Sequence, residues 1–192
     1  RATLGDRRGR EWLQGEWRGV PRELRCAGEA RWDQQWNRWR ERALAVDVER
    51  ELARVERAGG GFMTPADPRW PVQLSCLGEE EPLGLWFLGR LSDSSQSEGH
   101  VSIVGARAST SAGGRCARNM AYHLARSGYA IVSGGAIGID IEAHRGALAG
   151  GGRTICVLAG GVLNPYPACH TEDFRAIIDR GGLIVSEVAP TA

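Results

Sequence analysis

Three glycine-bearing turns, each placed after a β-type apolar run, hold the residue types that could meet a phosphate. They are Gly105-Ala106-Arg107 after residues 101–104, Ser133-Gly134-Gly135-Ala136-Ile137-Gly138-Ile139-Asp140 after residues 130–132, and Gly160-Gly161 after residues 155–158. Glycine lacks the Cβ that keeps a backbone away from a ligand, and a helix starting just beyond offers free N–H groups to an anion. Arg107 can reach that anion as a bidentate donor or pair with a neighbouring carboxylate; its place at a sheet edge favours the anion. Ser109-Thr110 supplies a cap for a helix that begins near Ser111. On that helix Arg115, Arg118, Tyr122 and Arg126 form an outer face, a solvated face by default, and Arg115 is nearest the first turn.

The second turn is the most specific. As a dinucleotide fingerprint, Ser133-x-Gly135-x-x-Gly138 has serine at the first glycine position, and no acidic residue ends the next strand, so no nicotinamide or flavin cofactor is expected. Asp140 and His144 stand four apart and can share a helix face and a hydrogen bond. No nucleophile accompanies them, so a pair that orders the loop is favoured over an acid–base pair. In the third turn Tyr166, between Pro165 and Pro167, can stack on a base or simply close the turn.

The elements that position these turns alternate. Strands are predicted at 101–104, 129–132, 153–158 and 183–186, with helices over about 111–127, 138–149 and 170–180, the pattern of right-handed βαβ crossovers and a mostly parallel sheet in an α/β fold. Near-continuous apolar strands predict a sheet covered on both faces. Upstream, residues 62–88 read as a short strand, a Pro-rich turn, a brief helix over 72–77 and a strand at 83–88, and residues 92–99 as a polar loop. Residues 31–58 carry Trp32, Trp36, Trp39, Val46, Leu52 and Val55 at helical spacing, with the tryptophans expected to pack rather than stack on bases. Two domains are therefore expected, a small helical module over 1–58 and an α/β domain over 59–192.

Composition narrows the classes. The 192 residues are 42% hydrophobic, enough for a core, and no apolar run approaches the roughly 20 residues of a membrane span, so a cytoplasmic protein without membrane attachment is expected. Net charge is +1, which by itself does not announce a nucleic-acid binder; residues 1–58 and 101–192 are net basic and 59–100 net acidic. Every basic residue is arginine, the mark of a GC-rich genome. Five scattered cysteines without a C-x-x-C pair argue against a disulfide framework or a metal site, and read as small buried or half-buried residues. Arg1 stands where an initiator Met would be, so the chain is expected to be a fragment.

Taken together the turns resemble the DNA-processing protein A family (DprA/Smf). The resemblance rests on Gly105-Ala106-Arg107, on Ser133-Gly134-Gly135-Ala136 with Gly138-Ile139-Asp140 and Ala143-His144-Arg145-Gly146, on residues 157–161 leading to Tyr166-Pro167, and on Ser186-Glu187 after the last strand. Thr64-Pro65-x-Asp67-Pro68-x-Trp70-Pro71 upstream looks like the family's approach to its Rossmann-like domain. The resemblance implies a Rossmann-like three-layer domain, a non-enzymatic protein that binds single-stranded DNA, and help in placing RecA recombinase on strands taken up in natural transformation. It also implies that Gly105, Ala106, Arg107, Ser133, Gly134, Gly135, Ala136, Gly138, Gly160 and Gly161 hold backbone phosphates. Residues 1–58 would be the family's small helical (SAM-like) module. Many members carry a basic residue where Ile137 stands, so one phosphate contact is missing. The family continues beyond the point that corresponds to Ala192, where its dimer contacts are thought to lie. A homodimer is thus implied for the full-length family and left open for this chain, as is RecA contact. Two other readings stay open: a nucleotide phosphoribohydrolase of the related lysine-decarboxylase-like (LOG) group, whose Pro-Gly-Gly-x-Gly-Thr and following glutamate are absent here, and an inactive truncated remnant.

Overall fold

The structure is a computed structural model that describes Glu41 and residues 47–91 and 99–192. The chain divides into two units, Arg1–Glu51 and Leu52–Ala192. The division falls within a helix, and most of the helical module expected over 1–58, with Trp32, Trp36 and Trp39, lies outside the described residues. The first described helix, α1 (Val48–Arg57), is capped by Asp47, whose carboxylate accepts from the Arg50 N–H at 3.0 Å. Acidic residues in its first turn and arginines in its last complement the helix dipole. Gly59, at φ 83°, ends it, a left-handed conformation that glycine takes without strain.

Strand β1 (Gly60–Met63) runs antiparallel to β2 (Leu85–Gly89), with Phe62 opposite Trp86 and their rings 4.6 Å apart. Between them the Pro-rich turn is closed by Arg69, whose side-chain and backbone hydrogen bonds hold the Asp67 carboxyl at about 2, below the usual carboxylate range. The helix expected at 72–77 is a 3-10 segment, Val72–Glu80, broken at Gly78. Then follow β3 (Gly99–Ser102), α2 (Ser111–Arg126), β4 (Tyr129–Gly134), α3 (Ile139–Ala149), β5 (Thr154–Val157), α4 (Thr171–Asp179) and β6 (Leu183–Ser186). The six strands lie in the order β1-β2-β6-β5-β4-β3, with β3 to β6 parallel and β2 antiparallel to β6. This is the expected α/β fold with a mostly parallel sheet.

Three right-handed crossovers step across the sheet in one direction, which puts α2, α3 and α4 on the same face. Ala117, Ala121 and Ala125 of α2 meet Ala143 and Ala147 of α3 in one core cluster, and a Cβ at Gly146 would collide with the Arg118 carbonyl. Small residues bring the two helices close together and so set their N-termini side by side. Phe174, Ile177, Cys156, Ile184 and Val55 form the core under α4. Truncating Phe174, 2% exposed, to Ala would cost about 3–5 kcal/mol.

Among the described residues the opposite face is covered by Trp70, Met63 and Leu74 over β1, β2 and β6, with Ile155 of β5 packed at the margin. Val157 on β5 is 47% exposed and Val104, just past β3, is 70% exposed. Among the described residues the cover expected on both faces is thus complete on the helical face and partial on the other, over β1, β2, β5 and β6. Cysteine corrects a second expectation: Cys156 is buried, but Cys76, Cys116 and Cys169 are exposed, because they fall on outer helix or loop positions. Cys26 lies outside the described residues. Among the described residues no helix is long and apolar enough to cross a membrane.

Candidate nucleic-acid interface

The first two turns interlock at the carboxyl edge of the sheet. Gly138, at φ 95°, caps α3, and a Cβ there would strike the carbonyl oxygens of Ala106 and Arg107. Only glycine meets both demands. The Ile139 N–H donates to the Ala106 carbonyl at 3.3 Å, and the Ile139 side chain fills the space that a Cβ on Gly105 would need. The first turn ends at Thr110, whose hydroxyl accepts from the Gly113 N–H at 3.0 Å and caps α2, as its residue type predicts.

Where α2 and α3 start together they leave a pocket of about 450 Å³. Ser109, Thr110 and Ser111 line it, with Gly114, Arg115, Arg118 and Asn119 from α2; Ile137, Gly138, Ile141, Glu142 and Arg145 from the second turn and α3; and His170 before α4. Its cations fall into two kinds. Arg118 is tied to Glu142 through Nε at 2.6 Å, and Arg145 bonds Glu142 at 3.0 Å and Asp173 twice at 2.9 Å. The Asp173 hydrogen bond, ahead of the Coulombic pairing, makes the Arg145 proton still harder to lose. Arg115, by contrast, is exposed, as is Arg107 in the first turn, which is not among the lining residues, and neither has a hydrogen bond or ion pair within the protein among the described residues. They are cations without a partner, beside helix N-termini that favour anions.

Asp140 and His144 do not bond each other. His144 is fully buried between α3 and the sheet: its Nε2 lies 3.0 Å from the Gly134 carbonyl, which can only accept, and its Nδ1 lies 2.7 Å from the Thr154 hydroxyl. Burial, the leading cause, lowers its pKa below the ordinary histidine value, partly offset by the bond to Gly134. Asp140 packs against Gly134, where a Cβ would collide with its carboxylate, and its Oδ1 is enclosed without a partner. Each residue thus bears on the second turn separately, because the sheet takes up both nitrogens of the histidine ring. His170 adds a third support, with Nδ1 3.2 Å from the Gly135 carbonyl.

Ser133, buried at 2% exposure, donates to the Ile103 carbonyl and so pins β4 to the end of β3. The carbonyls of Gly134 and Gly135 face the two histidines. A planar trans peptide directs its N–H opposite its C=O, so the Ala136 N–H points away from His170, and within the protein it has no acceptor among the described residues. The third turn is used otherwise. A Cβ on Gly161 would strike the carbonyls of Ala189 and Pro190; the Gly161 N–H donates to Ala192 at 3.1 Å, and the Leu163 N–H to Pro190 at 2.8 Å. The Asn164 amide completes the seam on Thr191 at 3.0 Å. A Cβ on Gly160 would only touch the Ala192 carbonyl at 3.9 Å, and Tyr166 is 77% exposed.

Of the residues singled out from sequence, Arg115 and Gly138 line the pocket, and the Gly105–Arg107 turn interlocks with Gly138. Gly160, Gly161 and Tyr166 are not among its lining residues. Sequence reasoning missed Arg118, Asn119, Glu142, Arg145 and His170. The available signal was the spacing of Arg115, Arg118 and Asn119 on one helix against Glu142 and Arg145 on the next, opposite charges on facing turns. Among the described residues no cluster of three or more His, Cys, Asp or Glu side chains is placed to hold a metal ion.

An α/β sheet edge with interlocked glycine loops, helix N-termini and unpaired arginines is a setting that favours an anion. The family model described as DNA recombination-mediator protein A matches residues 61–192, so the chain belongs to that family. It is similar to the putative DNA processing protein DprA of Mycobacterium tuberculosis, 40% identical over 143 residues that make up 69% of this chain and 37% of the relative. It is also similar to protein Smf of Synechocystis, 43% identical over 129 residues, 66% of this chain and 32% of the relative. The chain therefore spans about a third of the length of these curated relatives. Among solved structures it resembles DprA of Streptococcus pneumoniae, with a TM-score of 0.60 and 28% identity over 78% of this chain and 50% of that one. It resembles DNA processing protein A of Helicobacter pylori, whose structure concerns a single-stranded DNA binding mode, with a TM-score of 0.50 and 27% identity over 67% of this chain and 55% of that one.

Proposed function

We propose that this chain binds single-stranded DNA through its backbone phosphates at the edge formed by the first two turns. The observation that carries this reading is the pair of unpartnered arginines, Arg107 and Arg115, beside interlocked loops with free amides. Membership of the DNA-processing family and the likeness to the Helicobacter pylori protein support DNA as the phosphate source. The site binds without catalysing a reaction: among the described residues the one carboxylate lining the pocket, Glu142, is occupied by Arg118 and Arg145. Tyr166, exposed four residues before His170, is free to stack on a base. In a protein of the relatives' full length the same site would serve RecA loading during natural transformation, in the cytoplasm and as a homodimer.

Fluorescence anisotropy with labelled single-stranded and duplex oligonucleotides at low salt tests this. Preference for the single strand is expected, with affinity falling as salt rises, since each neutralised phosphate of a single strand contributes a slope of about −0.7 in log K against log salt. No binding of either at low salt would overturn it.

A further inference from the structure

His170 immediately precedes α4, is 6% exposed, and yet lines the pocket. Its ring is fixed in two ways: Phe174, one turn on, meets it edge to face at 6.2 Å, and Nδ1 sits 3.2 Å from the Gly135 carbonyl. A carbonyl oxygen accepts only, so Nδ1 carries the proton. The other nitrogen, Nε2, has no protein partner among the described residues. It is not sealed away either. Among the described residues the one fully enclosed side-chain polar atom without a partner is Asp140 Oδ1, so Nε2 opens on the cavity.

We propose that His170 Nε2 is a phosphate contact and that DNA binding places a proton on it. This rests on the phosphate-cradle reading above. A neutral ring with its hydrogen on Nδ1 presents a lone pair at Nε2, and a phosphate oxygen can accept but not donate. Contact between the two needs the imidazolium, with the proton drawn from solvent and Nδ1 kept on Gly135. The other charged groups that line the pocket are Arg115 and Arg118 from α2 and Glu142 and Arg145 from α3; Asp173 of α4 is bonded to Arg145, and His144 of α3, with Asp140 near it, lies within electrostatic reach of His170. Carboxylates and guanidiniums ordinarily titrate outside the range from about pH 5.5 to 8.5, and histidine within it. His144 has both nitrogens engaged by Thr154 and Gly134. The ring that can respond to the ligand is His170.

The test uses the full chain and labelled oligothymidylate, whose bases have no amino group to protonate, at constant ionic strength. Affinity of the unaltered protein is expected to rise as pH falls from 8.5 to 5.5, by up to about tenfold per pH unit for one proton taken up. Calorimetry in buffers of different ionisation enthalpy is expected to show net proton uptake on binding. His170→Asn keeps an amide N–H in the place of Nδ1 for Gly135 and removes Nε2, so it should bind through the arginines with a flat pH profile. A flat profile with no proton uptake in the unaltered protein, or an unchanged slope in His170→Asn, overturns the proposal. Should His170→Asn fail to fold, the proton count of the unaltered protein decides alone. Absence of DNA binding at every pH overturns both this proposal and the cradle reading, whereas pH-independent binding leaves the cradle reading standing.

Discussion

The second and third turns read alike in the sequence, each a Gly-Gly pair after a parallel strand, yet they put their glycines to different uses. At Gly134 and Gly138 the missing Cβ admits Asp140 and the first turn's carbonyls, and the second turn's Ala136 amide is left unengaged. At Gly161 the missing Cβ admits residues 189 and 190 of the same chain, whose carbonyls, with that of Ala192, take up the amides of Gly161 and Leu163. A glycine turn at a sheet edge signals close approach of something to the backbone. What approaches is decided by the surrounding fold.

The sharpest way to break this contrast is to reverse the charge at the first turn. Arg107→Glu combined with Arg115→Ala should reduce single-strand affinity by about a hundredfold or more, since each lost charge-assisted contact is worth roughly 1.5–3 kcal/mol. The melting temperature should hold, because neither side chain bonds within the protein among the described residues. Anisotropy and circular dichroism measure the two.

Gly138→Ala and Gly161→Ala come next. The first forces a side chain onto φ 95° and into two carbonyls, a strain of about 1–3 kcal/mol that falls on the binding loops, so affinity should drop about tenfold or more. The second should cost similar stability through overpacking, and lower the melting temperature by several degrees, while protein that remains folded binds DNA normally. Equal loss of affinity in both would erase the distinction between the turns.

His144 sharpens the account of the second turn's support. The unfolded chain takes up its proton near the ordinary pH of about 6.5, and the folded chain only at lower pH, so more protons bind to the unfolded state as acidity rises. Stability should be steady above about pH 7 and decline as pH falls below about 6.5, read as melting temperature against pH, with a shallower decline in His144→Gln. The smallest effect is expected at Tyr166. Tyr166→Ala should weaken binding a few-fold, in line with about 1 kcal/mol for one stacked base, and leave the melting temperature unchanged because the side chain is 77% exposed.

Much of this was legible in the residues. Alternating apolar runs and glycine turns located four parallel strands and three helices, and Ser109-Thr110 marked the start of α2. Arg107 and Arg115 stood out by type and place. The pocket's other half did not. Arg118 reads as a solvated position until α3 brings Glu142 against it, and His170 reads as the first residue of a helix until Gly135 is seen at its Nδ1. Asp140 and His144 share a helix face by spacing, but the sheet claims both histidine nitrogens first.

By itself, then, the sequence determined the local grammar: which segments are strands, where helices begin, and where the backbone must come close to something. Those properties follow from residue type and spacing within a few turns of chain. Tertiary structure alone decided which glycines face open space and which face residues 189–192, which arginines remain unpaired, and which histidine nitrogen opens on the pocket. Those depend on partners about 20 to 35 residues away or more in the chain, and no local pattern records them.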